Sequence, residues 1–172
     1  MAPRTLGELF DTFEQEAFRL ETRDDYSNSG NVDAYQAFLA GNPQPADYNQ
    51  AWVSELRSHS DAGKRVYRVH ILSRPLTPYL RFELGWGYHA NMRGGEEFYI
   101  LDTTEESNPL EGVPDFWLMD NLTPGVMNYS DDGSFLGVEI LPAQRAEEFR
   151  TYRDAAMTHA VPFPEWWAKH GE

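Results

Sequence analysis

The chain has 172 residues, 41% of them hydrophobic, and a formal net charge of -14 from 28 acidic side chains against 14 Lys and Arg. Its length suits one folded domain and its aromatic content speaks against disorder. The acidic balance, with Lys only at positions 64 and 169, argues against nucleic acid or an anionic membrane as a partner, and the absence of cysteine excludes disulfide scaffolds and thiolate zinc sites.

Thr5-Leu6-Gly7-Glu8 has the form of a capping box. Leu6, Leu9, Phe10, Phe13, Ala17 and Phe18 then recur at three- and four-residue spacing, which predicts a helix with one apolar stripe reaching Phe18. Residues 23–30 read as loop. A second helix over residues 32–40 is closed by Gly41 and Pro43; a third begins near Asp47, turns Trp52, Val53 and Leu56 inward and ends at Gly63. Residues 1–64 are therefore expected to be helical.

From Arg65 the period changes to two, with Tyr67, Val69 and Ile71 alternating with Arg68 and His70, so a strand is expected with His70 on its polar face. Thr77 followed by Pro78 starts a helix that turns Leu80, Leu84 and Tyr88 inward. Gly85 and Gly87 are expected to break or shorten it, and Gly94-Gly95 to end it. Further strands are expected over residues 97–101, 115–119, 125–129 and 134–140. Asp120-Asn121 and Asp131-Asp132-Gly133 supply the turns that make the last three a meander. The acidic segment between Asp102 and Pro114 is the expected mobile loop. Leu141-Pro142 opens a last helix, Val161-Pro162-Phe163-Pro164 breaks it, and Glu165-Trp166-Trp167-Ala168 forms a short aromatic tail.

The expected architecture is a single α+β domain over residues 1–172. A helical part (1–64) precedes a mixed, mostly antiparallel sheet of about five strands (65–141), then a C-terminal helix and aromatic tail (142–172). No secretory pattern follows Met1-Ala2-Pro3-Arg4 and no run is long enough to span a membrane, so a cytoplasmic location is expected.

Candidate chemistry is sparse. The five His, at 59, 70, 89, 159 and 170, share no metal-ligand spacing, and neither a metal nor a cofactor is expected. Asp115 and Asp120 bracket a strand and suit strand-end and turn-capping roles. Arg74, Tyr79 and Arg81 gather at a strand-to-helix corner, where a helix N-terminus favours an anion, with Asp115 or Tyr129 as polar partners. The bland alternative pairs Arg81 with Glu83 or a neighbouring carboxylate. Trp166 and Trp167 are the expected partner contact, to a basic protein or to a second copy in a homodimer.

The strings Phe18-Arg19-Leu20-Glu21-Thr22-Arg23-Asp24-Asp25-Tyr26, Arg68 to Arg81, Asp115-Phe116-Trp117 and Tyr129 to Phe135 together resemble an actinobacterial family of unknown function. Its members are commonly encoded beside small helix-turn-helix regulators. Gly85-Trp86-Gly87 departs from the ordinary helix formers that the resemblance leads one to expect. The element order around Asp115 to Asp120 also looks like half of a phospholipase D-type domain, a shape reused in sensors, yet the His and Lys of its phosphodiesterase motif are missing. The resemblance implies no activity. It implies a regulatory or interaction protein acting with a DNA-binding regulator without itself touching DNA; the alternative is a small-molecule enzyme or sensor using the Arg74/Tyr79/Arg81 corner.

Overall fold

The computed structural model describes residues 5–29 and 32–171; Met1-Ala2-Pro3-Arg4 and Gly30, at the end of the expected 23–30 loop, lie outside the described residues, as do Asn31 and Glu172. Helix α1 (Leu6–Thr12) starts at the expected capping box, in which the Thr5 hydroxyl accepts from the Glu8 amide at 3.1 Å and the Glu8 carboxylate from the Thr5 amide. It does not reach Phe18. The Asp120 carboxylate accepts from the backbone amides of Glu14 (2.8 Å), Gln15 (2.7 Å) and Glu16 (3.0 Å), diverting these donors from a helix, and the chain continues as strand β1 (Glu16–Glu21). The expectation of an all-helical first 64 residues is corrected accordingly.

Helices α2 (Val32–Leu39) and α3 (Gln50–Asp61) fall where the sequence places them. Strand β2 (Arg65–Leu72) leads to α4 (Pro78–Phe82), where the Thr77 hydroxyl accepts from the Leu80 amide at 3.2 Å. Gly85 and Gly87 do not break the helical run. The helix widens into a π turn over Glu83–Tyr88 and tightens again as α5 (His89–Arg93). Close packing of α5 on α3 requires a glycine at its end, because a Cβ on Gly94 would stand 2.7 Å from the Val53 carbonyl oxygen and 2.8 Å from Leu56 Cβ. Strands β3 (Glu97–Asp102), β4 (Phe116–Met119), β5 (Thr123–Tyr129) and β6 (Phe135–Ile140) complete the expected set, with Asp120 and Asn121 at φ 55° and 61° in the β4–β5 turn. Helix α6 (Ala146–His159) comes next in the chain. The C-terminal segment is more than an aromatic tail: Val161–Pro162 forms β7 and Phe163–His170 forms α7.

Among the described residues the strands form one sheet in the order β6-β5-β4-β1-β2-β3-β7, seven instead of about five because β1 and β7 join it. It is mixed and mostly antiparallel: β2 pairs in parallel with β1 and β3, and the remaining neighbours are antiparallel. One face carries Phe18, Leu20, Tyr67, Val69, Phe116 and Leu118 under Phe149 and Ala156 of α6. The other is covered along its length. Leu9, Phe10, Phe13 and Leu56 pack on Val66 and Trp117 at one end, and Leu80, Leu84, Tyr88, Phe163 and Trp166 pack on Leu72, Phe98 and Ile100 at the other. None of the described helices is long and apolar enough to cross a membrane.

Candidate functional site

Strands alternate side chains between faces, so the register Arg19↔Arg68 and Glu21↔His70 puts these four groups side by side on the face covered by α4, the π turn and α5. All four are buried or nearly so, with His70 fully buried. His70 lies on the polar face of its strand, but that face is roofed by helices and not open to water. Asp115, just before β4, and Glu96, just before β3, lie buried in the same row. Glu83 and Tyr88 reach it from the π turn.

The hydrogen bonds are dense. Asp115 Oδ2 accepts from Arg19 at 3.0 Å and from the Tyr26 hydroxyl at 2.6 Å, while Oδ1 accepts from the Thr22 amide (3.0 Å) and hydroxyl (2.5 Å). Arg19 also donates to the Tyr129 hydroxyl at 3.1 Å. Arg68 lies between two carboxylates, 2.7 Å from Glu96 and 3.3 Å from Glu21. His70 Nε2 stands 2.8 Å from the Arg23 carbonyl, which can only accept, so that nitrogen carries a proton. Its Nδ1 is 2.8 Å from the Tyr88 hydroxyl, which donates to Glu21 at 2.5 Å.

Two of these carboxyl groups are driven in opposite directions. Burial pushes Glu21 up, but Arg68, His70 and Arg19 outweigh it and hold the group well below the usual carboxylate range. Burial and the charge of Glu21 push Glu83 well above that range, against the weaker pull of Arg68 and Arg19. The result is an ionised carboxylate hydrogen-bonded to a protonated carboxyl, an arrangement suited to acid–base work and to holding a polar ligand. A folded-state value raised above the unfolded one means that the folded chain binds the extra proton, so wild-type stability falls as pH rises above the ordinary Glu range near 4.3. Glu83→Gln, neutral at every pH and still a donor to Glu21, should therefore melt higher than wild type at pH 7, with the gap closing by pH 4. Thermal melts across that range check it; a constant gap would show that folding does not change the proton affinity of Glu83.

The five residues expected at the strand-to-helix corner divide among three places. Arg74 and Arg81 both line a cleft of about 930 Å³, together with Lys169, His89, Trp86 and Trp167. Arg74 Nε donates to Asp102 at 2.6 Å. Despite burial, Thr104, Trp166 and Arg74 hold Asp102 at about 2, so it stays a carboxylate. Tyr79 is not part of this cleft: it is buried among the rings of Tyr26, Tyr35 and Phe82 and lines a smaller cleft. Asp115 and Tyr129 belong to the Arg19 cluster instead. Trp166 points inward, is 3% exposed and donates to Asp102 at 3.0 Å, which corrects its expected role as a partner contact; Trp167 lines the larger cleft.

Sequence reasoning gave no site role to Arg19, Glu21, Arg68, His70, Glu83 or Glu96. One signal for them was available. A strand-helix-strand order from β2 to β3 implies a parallel pair, and parallel sheets are covered on both faces, so polar residues alternating in such a strand are inside.

A family model described as Domain of unknown function (DUF6879) matches residues 4–168, and the chain belongs to that family. Among curated proteins none matches the chain.

Proposed function

We propose that this DUF6879 chain is a ligand-sensing interaction module that recognises an anion with a flat aromatic part in the Arg74–Arg81 cleft. One observation carries the reading. In a chain of net charge -14, three cationic side chains, Arg74, Arg81 and Lys169, line one cleft of about 930 Å³ beside the indole rings of Trp86 and Trp167. The volume is that of a site for a drug-sized ligand. A guanidinium has five N–H donors, so the bond to Asp102 orients Arg74 without exhausting it. Indole faces suit stacking on an aromatic ligand.

A wider regulatory role, alongside a DNA-binding regulator, rests on the acidic surface, which is complementary to a basic protein and opposed to DNA. Ligand capture in the cleft would then bias that association.

The test is a titration with AMP and with adenosine as its neutral counterpart. AMP should bind the wild-type chain, adenosine more weakly, and Arg81→Ala should lose about tenfold in AMP affinity, the worth of one charge-assisted hydrogen bond. Equal affinity for the two ligands would remove the anion from the reading. A variant that binds AMP normally and only melts lower would make Arg81 a scaffold residue.

A further inference from the structure

The smaller cleft, of about 260 Å³, is walled by the rings of Tyr48, Trp52, Tyr79, Phe82 and Tyr88, with Glu83 and Arg68 among its lining residues, the latter already paired with Glu21 and Glu96. Next to it lies the buried polar row, and there the charges do not balance. Three carboxylates, Glu21, Glu96 and Asp115, and the protonated Glu83 stand against the guanidinium groups of Arg19 and Arg68, which leaves one positive charge missing. Glu83 Oε2 is buried with no hydrogen-bond partner. Buried acceptors are nearly always satisfied, and a buried carboxyl without its full complement is an exception that needs a reason.

We infer that this cleft is a second ligand site, which takes a small organic cation bearing N–H donors, a guanidinium or primary ammonium group. Such a group supplies the missing positive charge and a donor for Glu83. The aromatic walls offer ring faces, whose negative quadrupole attracts a diffuse cation. The site differs from the Arg74–Arg81 cleft in residues and in the sign of the charge it selects, so it stands whether or not an anion binds there.

A metal ion suits the same carboxylates less well. Ligand atoms of Glu21, His70 and Glu83 lie within 4.8 Å of one another. Both nitrogens of His70 are engaged, however, by the Tyr88 hydroxyl and the Arg23 carbonyl, and Arg68 stands 3.3 Å from Glu21, where a dication would meet a guanidinium. An organic cation among the rings needs only Glu83 and leaves the bonds of His70 intact.

The experiment is a backbone-amide NMR titration of the full chain with methylguanidinium, with methylurea as its neutral isostere and with Zn²⁺ alone. Methylguanidinium should give saturable shifts at Asn49, Trp52, Gly87 and Asn91, with methylurea about tenfold weaker or weaker still, and Glu83→Met, which removes the acceptor, should lose about tenfold in methylguanidinium affinity. Three outcomes overturn the proposal: no saturation with methylguanidinium, equal affinity for methylurea, or tight Zn²⁺ binding that shifts His70 and blocks methylguanidinium. The isostere comparison is made on the wild-type chain and does not depend on the variant folding.

Discussion

Asp115→Ala should lower the unfolding free energy by about 3–5 kcal/mol, the cost of leaving one member of a buried ion pair without its partner. Asp115 and Arg19 are 2% and 6% exposed at their side chains, and their 3.0 Å contact lies where water cannot replace the lost charge. The same truncation strips acceptors from the Thr22 amide, the Thr22 hydroxyl and the Tyr26 hydroxyl. Urea unfolding measures the loss. A second variant separates the charge from the packing: Arg19→Met combined with Asp115→Ala should recover part of the stability, because no buried charge then remains uncompensated. A single Asp115→Ala variant within about 1 kcal/mol of wild type would mean that water enters the site and that the pair is not fully desolvated.

Phe18→Ala should cost about 3–5 kcal/mol, the range for removing a fully buried phenyl ring. Phe18 sits on β1, the central strand of the seven, with its ring 5.1 Å from Tyr67 and 5.8 Å from Phe116. Neighbours on both flanking strands are held by sheet hydrogen bonds, so collapse into the cavity is restricted and the loss should fall toward the upper end. Hydrogen exchange gives an independent reading. Amides of residues 17–20, paired on both sides, should be among the slowest to exchange in the wild-type chain, whereas a helix continuing past Thr12 on the surface would exchange quickly.

Elements whose signals lie within a few residues of one another were legible in the sequence. The Thr5 capping box, the Thr77-Pro78 helix start, the stop at Gly94-Gly95 and the turns at Asp120-Asn121 and Asp131-Asp132-Gly133 all depend on local hydrogen bonding and on backbone conformations that particular residue types favour. The two-residue alternation of β2 and the meander of β4, β5 and β6 were legible for the same reason, since a face pattern is written along the strand itself. The anionic character that argues against nucleic acid is a property of composition and needs no fold.

What the sequence left open depends on partners far along the chain. Helix α1 ends where it does because Asp120, more than a hundred residues away, takes the amides of Glu14 to Glu16, and β1 exists because β2 and β4 flank it. Val161–Pro162 is a strand only through its pairing with β3. The polar row of Arg19, Glu21, Arg68 and His70 carries a surface pattern in one dimension; whether that face meets water or a helix is decided by where residues 78–93 pack. Tyr79 and Arg81 lie close together in sequence yet serve different clefts, because positions two apart on a helix point in different directions. Local chemistry thus determined where segments start and turn, and tertiary packing alone decided which charges were taken out of water, the step that turns ordinary carboxyl groups into a site.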